Sequence, residues 1–302
     1  MSAAPQNSSP ARYIAPVDPP IRLSLPEGPR GGLVLSSPHS GNVYPEEFRR
    51  QSRLDPLTLR RSEDAFVNEL MGAAPRHGAP LLEALFPRSY CDPNREAYEL
   101  DPAMFSDPLP AHVVTQSGKL RSGLGTIAKV VAGGMEIYAG KLPFAEAERR
   151  VETLWRPYHD ALAGLIAEAK QAAGVALLLD CHSMPSVGGA NMPDQGQRRA
   201  DMVLGDFHGT SCAPHLIDRV EAYLEGRGFS VLRNKPYAGG YITQHYTDRA
   251  NGVHTLQIEI NRDLYMDERE ISQSVGFERV RAAMAGMIEL LAGSATPEFL
   301  KK

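Results

Sequence analysis

An aspartate and a histidine stand two residues apart at the end of an apolar stretch. Residues Val175 to Leu179 are all apolar, and Asp180, Cys181 and His182 follow them. A short, uninterrupted apolar run predicts a strand buried on both faces, as in the middle of a parallel sheet. Ligands of open α/β sheets bind outside the carboxyl ends of the strands. On an extended strand both side chains share one side, so one could bind a metal while the other orients it or the attacking water.

Other histidines follow predicted strands in the same way. His39 lies just past the short apolar segment Gly31 to Ser37, and His208 follows the predicted strand Met202 to Gly205. A lone D-x-H pattern is weak evidence, because a histidine capping a turn beside a solvated aspartate gives the same sequence. Histidines at the ends of strands far apart in the chain instead indicate a site assembled where those strands meet.

Two acidic residues are candidates for catalysis or metal binding at such a site. Glu259 lies in the apolar strand predicted for Val253 to Ile260, on the face opposite Leu256 and Ile258. The alternative for Glu259 is an exposed position on an edge strand. Asp64 lies in the first turn of a helix predicted for Ser62 to Gly72, where an acid also favours the helix dipole without any further role.

Loops carry cations that could bind an anionic ligand, because guanidinium groups form paired hydrogen bonds with carboxylates. The loop after the apolar segment Pro80 to Phe86 holds Arg88, Asn94 and Arg95, the Gly-rich segment SGKLRSGLG holds Arg121, and Arg262 follows the Glu259 strand. A Gly- and Tyr-rich loop, 235–248, contains Tyr241 and is of a type that closes over substrates.

The elements that must position these residues alternate between strands and helices. A long amphipathic helix is predicted for Leu142 to Ala173, with a kink or a break at Pro157, and it runs directly into the central strand. We predict one α/β domain with a central mixed, mostly parallel sheet flanked by helices. Further predicted elements are strands at 126–132 and 229–233 and helices at 216–227 and 271–291.

The composition limits the class of protein. The 302 residues are 42% hydrophobic and carry a formal charge of -4, which gives no basic surface for nucleic acid. No apolar stretch approaches the ~20 residues of a membrane span. Three cysteines without a C-x-x-C motif predict reduced thiols and a cytoplasmic protein. Residues 1–30, rich in Pro, Ser and Ala, predict a flexible lead-in to a domain at 31–295.

Seven motifs in fixed order carry a resemblance to a known family. They are SPHSG, SEDAF, RSYCDPNRE, RSGLGTIA, LLLDCHSMP, PYAGGYITQHY and LQIEINRDLYMDE. From about Leu33 to Asp267 the chain resembles the N-formylglutamate amidohydrolases, which are similar to the zinc carboxypeptidases and the acylamino-acid deacylases. The resemblance implies a zinc-carboxypeptidase-like fold with one zinc ion. It also implies a hydrolase that releases formate from N-formyl-L-glutamate, late in one route of histidine breakdown.

The resemblance also implies the metal ligands. His39 in PHSG and His182 in DCHS match the histidine ligands. The carboxypeptidase pattern H-x-x-E would place a glutamate at position 42, where this chain has Asn42. Asp64 is the candidate for the carboxylate ligand, and Glu46 is the alternative.

The remaining roles follow from the same resemblance. Glu259 matches the catalytic glutamate of the carboxypeptidases, Asn94 and Arg95 match their carboxylate-binding pair, and Arg88 could stabilise the oxyanion. This set of ligands is consistent with a hydrolase, because two histidines and a carboxylate leave one coordination position of zinc open for water. Zinc lowers the pKa of that water to about 7, and a glutamate can move its proton to the leaving amine. Arg121 and Arg262, beside Arg95, suit a dicarboxylate such as glutamate.

Other functions stay open at this point. The chain has no G-x-S-x-G serine elbow, and Cys181 as a nucleophile would point away from the side that holds His182. Another N-acyl amino acid or a small peptide could be the substrate of a deacylase or carboxypeptidase on this fold. A metal-free, non-catalytic protein that binds carboxylates is the alternative from a different class. The sequence does not predict the oligomeric state.

Overall fold

A seven-stranded sheet runs through the middle of the molecule. The computed structural model describes residues 15–190 and 192–301. The strands are β1 (Ile21–Ser24), β2 (Leu33–Ser37), β3 (Leu81–Ala84), β4 (Ala176–Met184), β5 (Met202–Gly205), β6 (Val231–Arg233) and β7 (Val253–Asn261). Their order in the sheet is β1-β3-β2-β4-β7-β5-β6, and a separate hairpin pairs β8 (Met266–Asp267) with β9 (Ser272–Gln273).

The sheet is mixed but mostly parallel, as predicted. Strands β3, β2, β4 and β7 are parallel neighbours, and β6 is parallel to β5. Strand β1 pairs antiparallel with β3, and β5 pairs antiparallel with β7. The carboxyl ends of β2, β4 and β7 therefore lie side by side at one edge of the sheet, where the sequence places its candidate residues.

Helices cover both faces of the sheet. They are α1 (Glu46–Gln51), α2 (Pro56–Arg60), α3 (Val67–Leu70), α4 (Gly118–Arg121), α5 (Phe144–Arg150), α6 (Arg156–Ala173), α7 (Pro214–Gly226), α8 (Tyr241–Tyr246), α9 (Phe277–Ser294) and α10 (Pro297–Leu300). On β4, Leu177, Leu179 and Cys181 pack in one cluster with α3, α7 and α9. Ala176 and Leu178 pack on the opposite face with α6. By the alternation along the strand, Asp180 and His182 belong to the α6 face.

The long helix predicted for Leu142 to Ala173 begins at Phe144 and continues to Ala173, but it changes its winding. A π-helical segment, Val151–Trp155, joins α5 to α6. Pro157 lies in the first turn of α6. The irregularity thus precedes the proline, and π segments of this kind are frequent near functional sites.

Two predicted elements differ from the structure near the site. The strand predicted at 126–132 was wrong, because this segment forms only isolated bridges such as Leu124 with Ala128 and Val130 with Glu136. Its apolar residues are buried against loops and helices and do not join the sheet. The helix predicted for Ser62 to Gly72 shortens to α3, since Phe66 takes a left-handed backbone conformation with φ 66°.

Smaller differences concern element ends. The last predicted helix, 271–291, begins at Phe277, because Ile271 has φ 50° and the chain first forms the β8–β9 hairpin. The predicted loop 235–248 contains α8. Within the predicted lead-in 1–30, Ile21–Ser24 pairs as β1, and residues 1–14 lie outside the described part of the chain. No helix in the described ranges is both long and apolar enough to cross a membrane.

Candidate active site

Two histidines and an aspartate from three separate segments meet at the carboxyl edge of the sheet. His39 follows β2, Asp64 lies in the turn before α3, and His182 lies in β4. Nδ1 of His182 is 3.1 Å from Nδ1 of His39 and 3.1 Å from Oδ2 of Asp64. Nδ1 of His39 is 3.3 Å from the same oxygen. All three residues are buried, and together they could hold a metal ion.

The spacing of these three atoms suits zinc. Tetrahedral zinc with bonds of about 2.0–2.1 Å places neighbouring ligand atoms roughly 3.3 Å apart. The measured separations of 3.1–3.3 Å between the ring nitrogens and the carboxylate oxygen fall close to this value. The donor set, two imidazoles and one carboxylate, is also the set that leaves catalytic zinc an open position. The triad of His39, Asp64 and His182 therefore fits one zinc ion.

A second carboxylate orients each histidine. Nε2 of His39 lies 2.7 Å from Oδ1 of Asp92, and Nε2 of His182 lies 3.0 Å from Oδ2 of Asp180. A carboxylate beside Nε2 favours the tautomer that carries its proton there, and this tautomer presents Nδ1 to a metal. Asp180 itself accepts a hydrogen bond of 3.2 Å from Ser36. Each histidine ring thus has a carboxylate on the side that faces away from the triad, and this carboxylate orients the ring.

The triad carboxylate is oriented in the same way through its second oxygen. Oδ1 of Asp64 accepts from Nη2 of Arg262 at 3.0 Å and from Oγ of Ser183 at 3.3 Å. Arg262 also donates to Ser183 and to the carbonyl of Arg61. In the structure this arginine contacts the candidate metal ligand directly, and its role in substrate binding stays a prediction.

The charges of the pocket favour a cation between the histidines. Burial alone would disfavour a charge at His182, but Asp180 and Asp64 outweigh it and raise its pKa well above the usual range. Asp64 is buried too, yet the two histidines hold its pKa well below the usual range. Arg88, His39 and Arg95 do the same for the buried Asp92. A pocket with several ionised carboxylates around two imidazoles stabilises positive charge, whether from protons or from a metal.

Glu259 lies beside the triad because of the strand register. It pairs with His182 across the parallel β4 and β7, so the two side chains leave the sheet on the same face. Only 7% of Glu259 is exposed, and burial raises its pKa to about 8. Its Oε1 accepts from Gln257 at 3.0 Å. Burial of Tyr237 raises the pKa of its hydroxyl, and the nearby carboxylate of Glu259 raises it further.

The loop after β3 brings Arg88, Asn94 and Arg95 to the same place. Nη2 of Arg88 donates to Oδ2 of Asp92 at 2.7 Å, and Nη2 of Arg95 lies 4.0 Å from that oxygen. Nδ2 of Asn94 lies 3.1 Å from Nε2 of His182. Asp92 thus lies between His39 and the two arginines of this loop. It was not predicted as a site residue, although it stands within the RSYCDPNRE motif.

Asn94 also fixes the Gly- and Tyr-rich loop at the site. Its Oδ1 accepts from the backbone N–H of Ile242 at 2.8 Å. A Cβ on Gly240 would lie 2.4 Å from Nδ2 of Asn94, so only glycine allows this approach. Tyr241 begins α8 next to this contact and stacks on His245 with 4.8 Å between the ring centroids.

The other sequence candidates lie apart from the triad. Glu46 is exposed in α1 and pairs with Arg49. Arg121 is exposed on α4, along an outer cleft of about 640 Å³. His208 is exposed, with φ 57°, at the turn after β5. Cys181 points into the core on the opposite face of β4, as expected, and burial raises its thiol pKa well above the usual range.

Comparison with known proteins gives a consistent result. A family model described as N-formylglutamate amidohydrolase matches residues 31–266. The chain is 31% identical over 251 residues to an N-formylglutamate deformylase of Pseudomonas aeruginosa, covering 82% of this chain and 86% of that one. A protein of the same name from Pseudomonas putida is 29% identical over 254 residues, again covering 82% of this chain and 86% of the other.

Solved structures agree. The crystal structure of N-formylglutamate amidohydrolase from Ralstonia eutropha JMP134 matches with a TM-score of 0.83 and 38% identity, covering 91% of this chain and 97% of that chain. A protein of Agrobacterium tumefaciens shares the fold alone, with a TM-score of 0.60 and 22% identity over 91% of this chain and 94% of the other. The family model spans most of the domain and includes the triad, Asp92, Asn94 and Glu259. The chain belongs to the N-formylglutamate amidohydrolase family.

Proposed function

We propose that this protein is a zinc-dependent enzyme that hydrolyses N-formyl-L-glutamate to formate and L-glutamate. One observation carries the proposal. Three metal-ligating atoms lie 3.1–3.3 Å apart, and a buried glutamate stands beside them in strand register. The names of the relatives support the substrate, since proteins similar to this chain are called N-formylglutamate deformylases.

His39, Asp64 and His182 would hold the metal. Bound there, zinc would supply Lewis acidity and lower the pKa of a water molecule to about 7. Asp92 and Asp180 face the Nε2 atoms of the two histidines and so favour the tautomers that present Nδ1 to a metal. Arg262 and Ser183 bind one oxygen of Asp64, which leaves the other oxygen facing the histidines. The protein thus prepares the site before any ligand arrives, which limits the cost of ordering it.

Glu259 moves the proton in this proposal. Its carboxylate takes a proton from the attacking water and delivers it to the amide nitrogen of the leaving glutamate. Burial places its pKa near 8, and a nearby cation favours the ionised form that accepts the proton. A carboxyl group whose pKa lies close to the working pH can both accept and donate, which general acid–base catalysis needs.

In this proposal the substrate is bound by the cationic side chains of the loop after β3, which carries Arg88, Asn94 and Arg95 and is called the Arg88 loop below. Arg88 is the arginine that lies next to Asp92 and is influenced by the charges of Asp64 and Glu259, so it can stabilise negative charge that develops near the triad. Asn94 and Arg95 follow it in the same loop and suit a substrate carboxylate. Roles for Arg121, Arg262 and Tyr241 in substrate binding stay predictions.

The closest competing function is hydrolysis of another N-acyl amino acid or of a small peptide. A panel of formyl-, acetyl- and succinyl-glutamate with formyl-aspartate tests the choice. We expect formyl-glutamate to give the highest kcat/KM. A higher kcat/KM for acetyl- or succinyl-glutamate would mean that the enzyme removes that acyl group and not formyl. We also propose that the reaction serves histidine breakdown in the cytoplasm, where the three buried, unpaired cysteines would stay reduced.

Metal analysis separates the enzyme from a non-catalytic carboxylate-binding protein on the same fold. We expect close to one zinc per chain in wild-type protein purified without added metal, and loss of both zinc and activity in His39→Ala, His182→Ala and Asp64→Ala. The matched controls are His112→Ala and Glu46→Ala, because both residues are exposed and lie outside the triad. A metal-free wild type that gains no activity from added zinc would support the binding protein instead.

A further inference from the structure

Two side chains of the long helix bind the backbone of the Arg88 loop on both sides of Asn94. Nε2 of His159 lies 2.8 Å from the carbonyl oxygen of Pro93, and Nε1 of Trp155 donates to the carbonyl of Arg95 at 2.9 Å. Trp155 ends the π-helical segment and His159 follows four residues later in α6, with 3.8 Å between the centroids of the stacked rings. Both side chains are buried. Asn94 therefore lies between two carbonyl groups that the helix holds in place.

The partners of His159 determine which ring nitrogen carries the proton. Burial lowers the pKa of His159 to about 4, so the ring is neutral at neutral pH. A carbonyl only accepts, so Nε2 carries the hydrogen and donates it to Pro93. Nδ1 is then an acceptor, and the hydroxyl of Tyr246 in α8 lies 2.8 Å from it and 3.2 Å from the carbonyl of His159. His159 thus connects the Arg88 loop to α8.

Asn94 extends this contact to the triad. Its backbone N–H donates to Oδ1 of Asp92 at 2.8 Å, and the same oxygen lies 2.7 Å from Nε2 of His39. Its Nδ2 lies 3.1 Å from Nε2 of His182. The position of the backbone at Asn94 therefore sets where the loop lies relative to both histidines of the triad.

Arg95 keeps part of its guanidinium group available in this arrangement. Its Nε donates to the carbonyl of Leu124 at 2.8 Å, and its Nη1 donates to the carbonyl of Asn94 at 2.6 Å. Its Nη2 lies 4.0 Å from Oδ2 of Asp92, which is beyond hydrogen-bond distance. Only 7% of Arg95 is exposed. A largely buried cation with a donor to spare suits a ligand carboxylate, provided that the backbone holds it at the right place.

We propose that His159 positions the Asn94–Arg95 pair for the substrate carboxylate by binding the carbonyl of Pro93. The inference rests on the proposed function, in which this pair binds that carboxylate. His159 is not one of the three residues of the triad, and it acts on the loop from behind. Its replacement should therefore weaken substrate binding and leave zinc in place.

The test uses two amides that replace different nitrogens of the His159 ring. Glutamine can place its amide nitrogen near the position of Nε2, whereas asparagine reaches only to the position of Nδ1. For His159→Asn and His159→Phe we expect KM for N-formyl-L-glutamate to rise by at least ~10-fold with kcat changed by less than about threefold, because binding and not chemistry is impaired. For His159→Gln, KM should rise by less than about threefold, because the hydrogen bond to Pro93 is kept.

The comparison of glutamine with asparagine distinguishes positioning from a general effect on folding, because both amides remove the same ring and its stacking. His112→Phe is the matched control, since His112 is exposed and its ring contacts Tyr98 and Phe144. Zinc content is measured on every preparation and should stay close to one per chain. Equal KM values for His159→Gln and His159→Asn overturn the proposal. Loss of zinc in His159→Asn also overturns it, because His159 would then support the triad.

Binding of the product separates this proposal from the proposed function. Calorimetric titration with L-glutamate needs no turnover. We expect Kd to rise by at least ~10-fold in His159→Asn and by less than about threefold in His159→Gln. Equal affinities in the wild type and both variants overturn the role of His159 even if the enzyme is a deformylase. If the expected order of affinities is found but the wild type hydrolyses no formyl-glutamate, the proposed function fails while the positioning role stands.

Discussion

At the residue scale, four acids around one pair of histidines have different roles because their surroundings differ. Asp64 faces both Nδ1 atoms and is anchored from behind by Arg262. Asp92 and Asp180 face the Nε2 atoms. Glu259 has no arginine at hydrogen-bond distance in the described structure and accepts only from the neutral side chain of Gln257. Burial therefore dominates at Glu259 and raises its pKa, whereas paired charges lower the pKa of Asp64 and Asp92.

This difference predicts the outcome of Glu259→Gln. The amide keeps the shape of the side chain but cannot accept a proton, so kcat should fall by the ~10²–10⁴ typical of general acid–base catalysis. Zinc content and KM should stay close to the wild-type values, because Glu259 is not in the triad. Both quantities are measured on the same preparation. Zinc lost together with activity would make Glu259 a ligand, and retained activity would make it a bystander.

At the element scale, the strand ends were predictable and the loops were not. Apolar runs with an acid or a histidine at the end identified β2, β4 and β7, because a buried strand must be apolar whatever packs on it. The turn that carries Asp64 was predicted as helix, since local periodicity does not show that Phe66 takes a left-handed conformation. The strand predicted at 126–132 failed for a related reason, because burial against loops gives the same apolar pattern as pairing in a sheet.

The site residue that was not predicted from the sequence, Asp92, also belongs to this scale. Asp92 lies in an irregular segment whose position depends on contacts between distant parts of the chain, such as the bond from Arg95 to Leu124. No spacing rule predicts such contacts. The signal that the sequence did offer is the number of arginines around Asp92 in the motif RSYCDPNRE.

The Arg88 loop is supported from α5 by Arg150, which is fully buried. Its Nε pairs with Oε1 of Glu146 at 2.7 Å, and its Nη1 donates to the carbonyl of Tyr90 at 3.0 Å and to the hydroxyl of Tyr138 at 2.6 Å. The guanidinium also stacks 3.7 Å from the Tyr90 ring. Tyr90 lies two residues before Asp92, so Arg150 anchors the base of the loop.

We therefore expect Arg150→Met to reduce the free energy of unfolding by about 3–5 kcal/mol, because it leaves buried partners unpaired. Arg156→Met is the matched control, since Arg156 is half exposed and pairs with Glu152 at the surface. Its loss should cost less than about 1 kcal/mol. Urea unfolding followed by circular dichroism measures both values. Equal effects of the two substitutions would contradict the anchoring role.

At the scale of the whole molecule, the triad joins segments that are distant in the sequence. His39 follows β2, Asp64 precedes α3, and His182 lies in β4. Any ion that binds all three binds only the folded chain, because the unfolded chain does not hold them together. Metal binding and folding stability are therefore coupled.

This coupling predicts that zinc raises the melting temperature of chelator-treated protein. At a free zinc concentration of 100 times Kd, the gain is about 2.7 kcal/mol. For a chain of this size that corresponds to an increase of several degrees, roughly 2–4 °C per kcal/mol. His182→Ala should show no such increase, and His112→Ala should behave as the wild type. Thermal unfolding with and without zinc is the measurement, and an equal shift in His182→Ala would mean that zinc binds elsewhere.

The position of β7 in the sheet has a consequence for biosynthesis. Strand β7 pairs with β4 on one side and with β5 on the other, although β5 leaves the ribosome first. Until residues 253–261 are made, β4 and β5 each present an open edge, and such edges are prone to aggregate. At about 5–20 residues per second, translation from β5 to the end of β7 leaves these edges open for roughly 3–11 seconds. Glu259 lies in β7, so the carboxylate proposed to move the proton enters the protein in the same segment that closes the sheet. Under this proposal a nascent or truncated chain that lacks β7 cannot carry out the reaction, and enzymatic turnover reports the completion of folding.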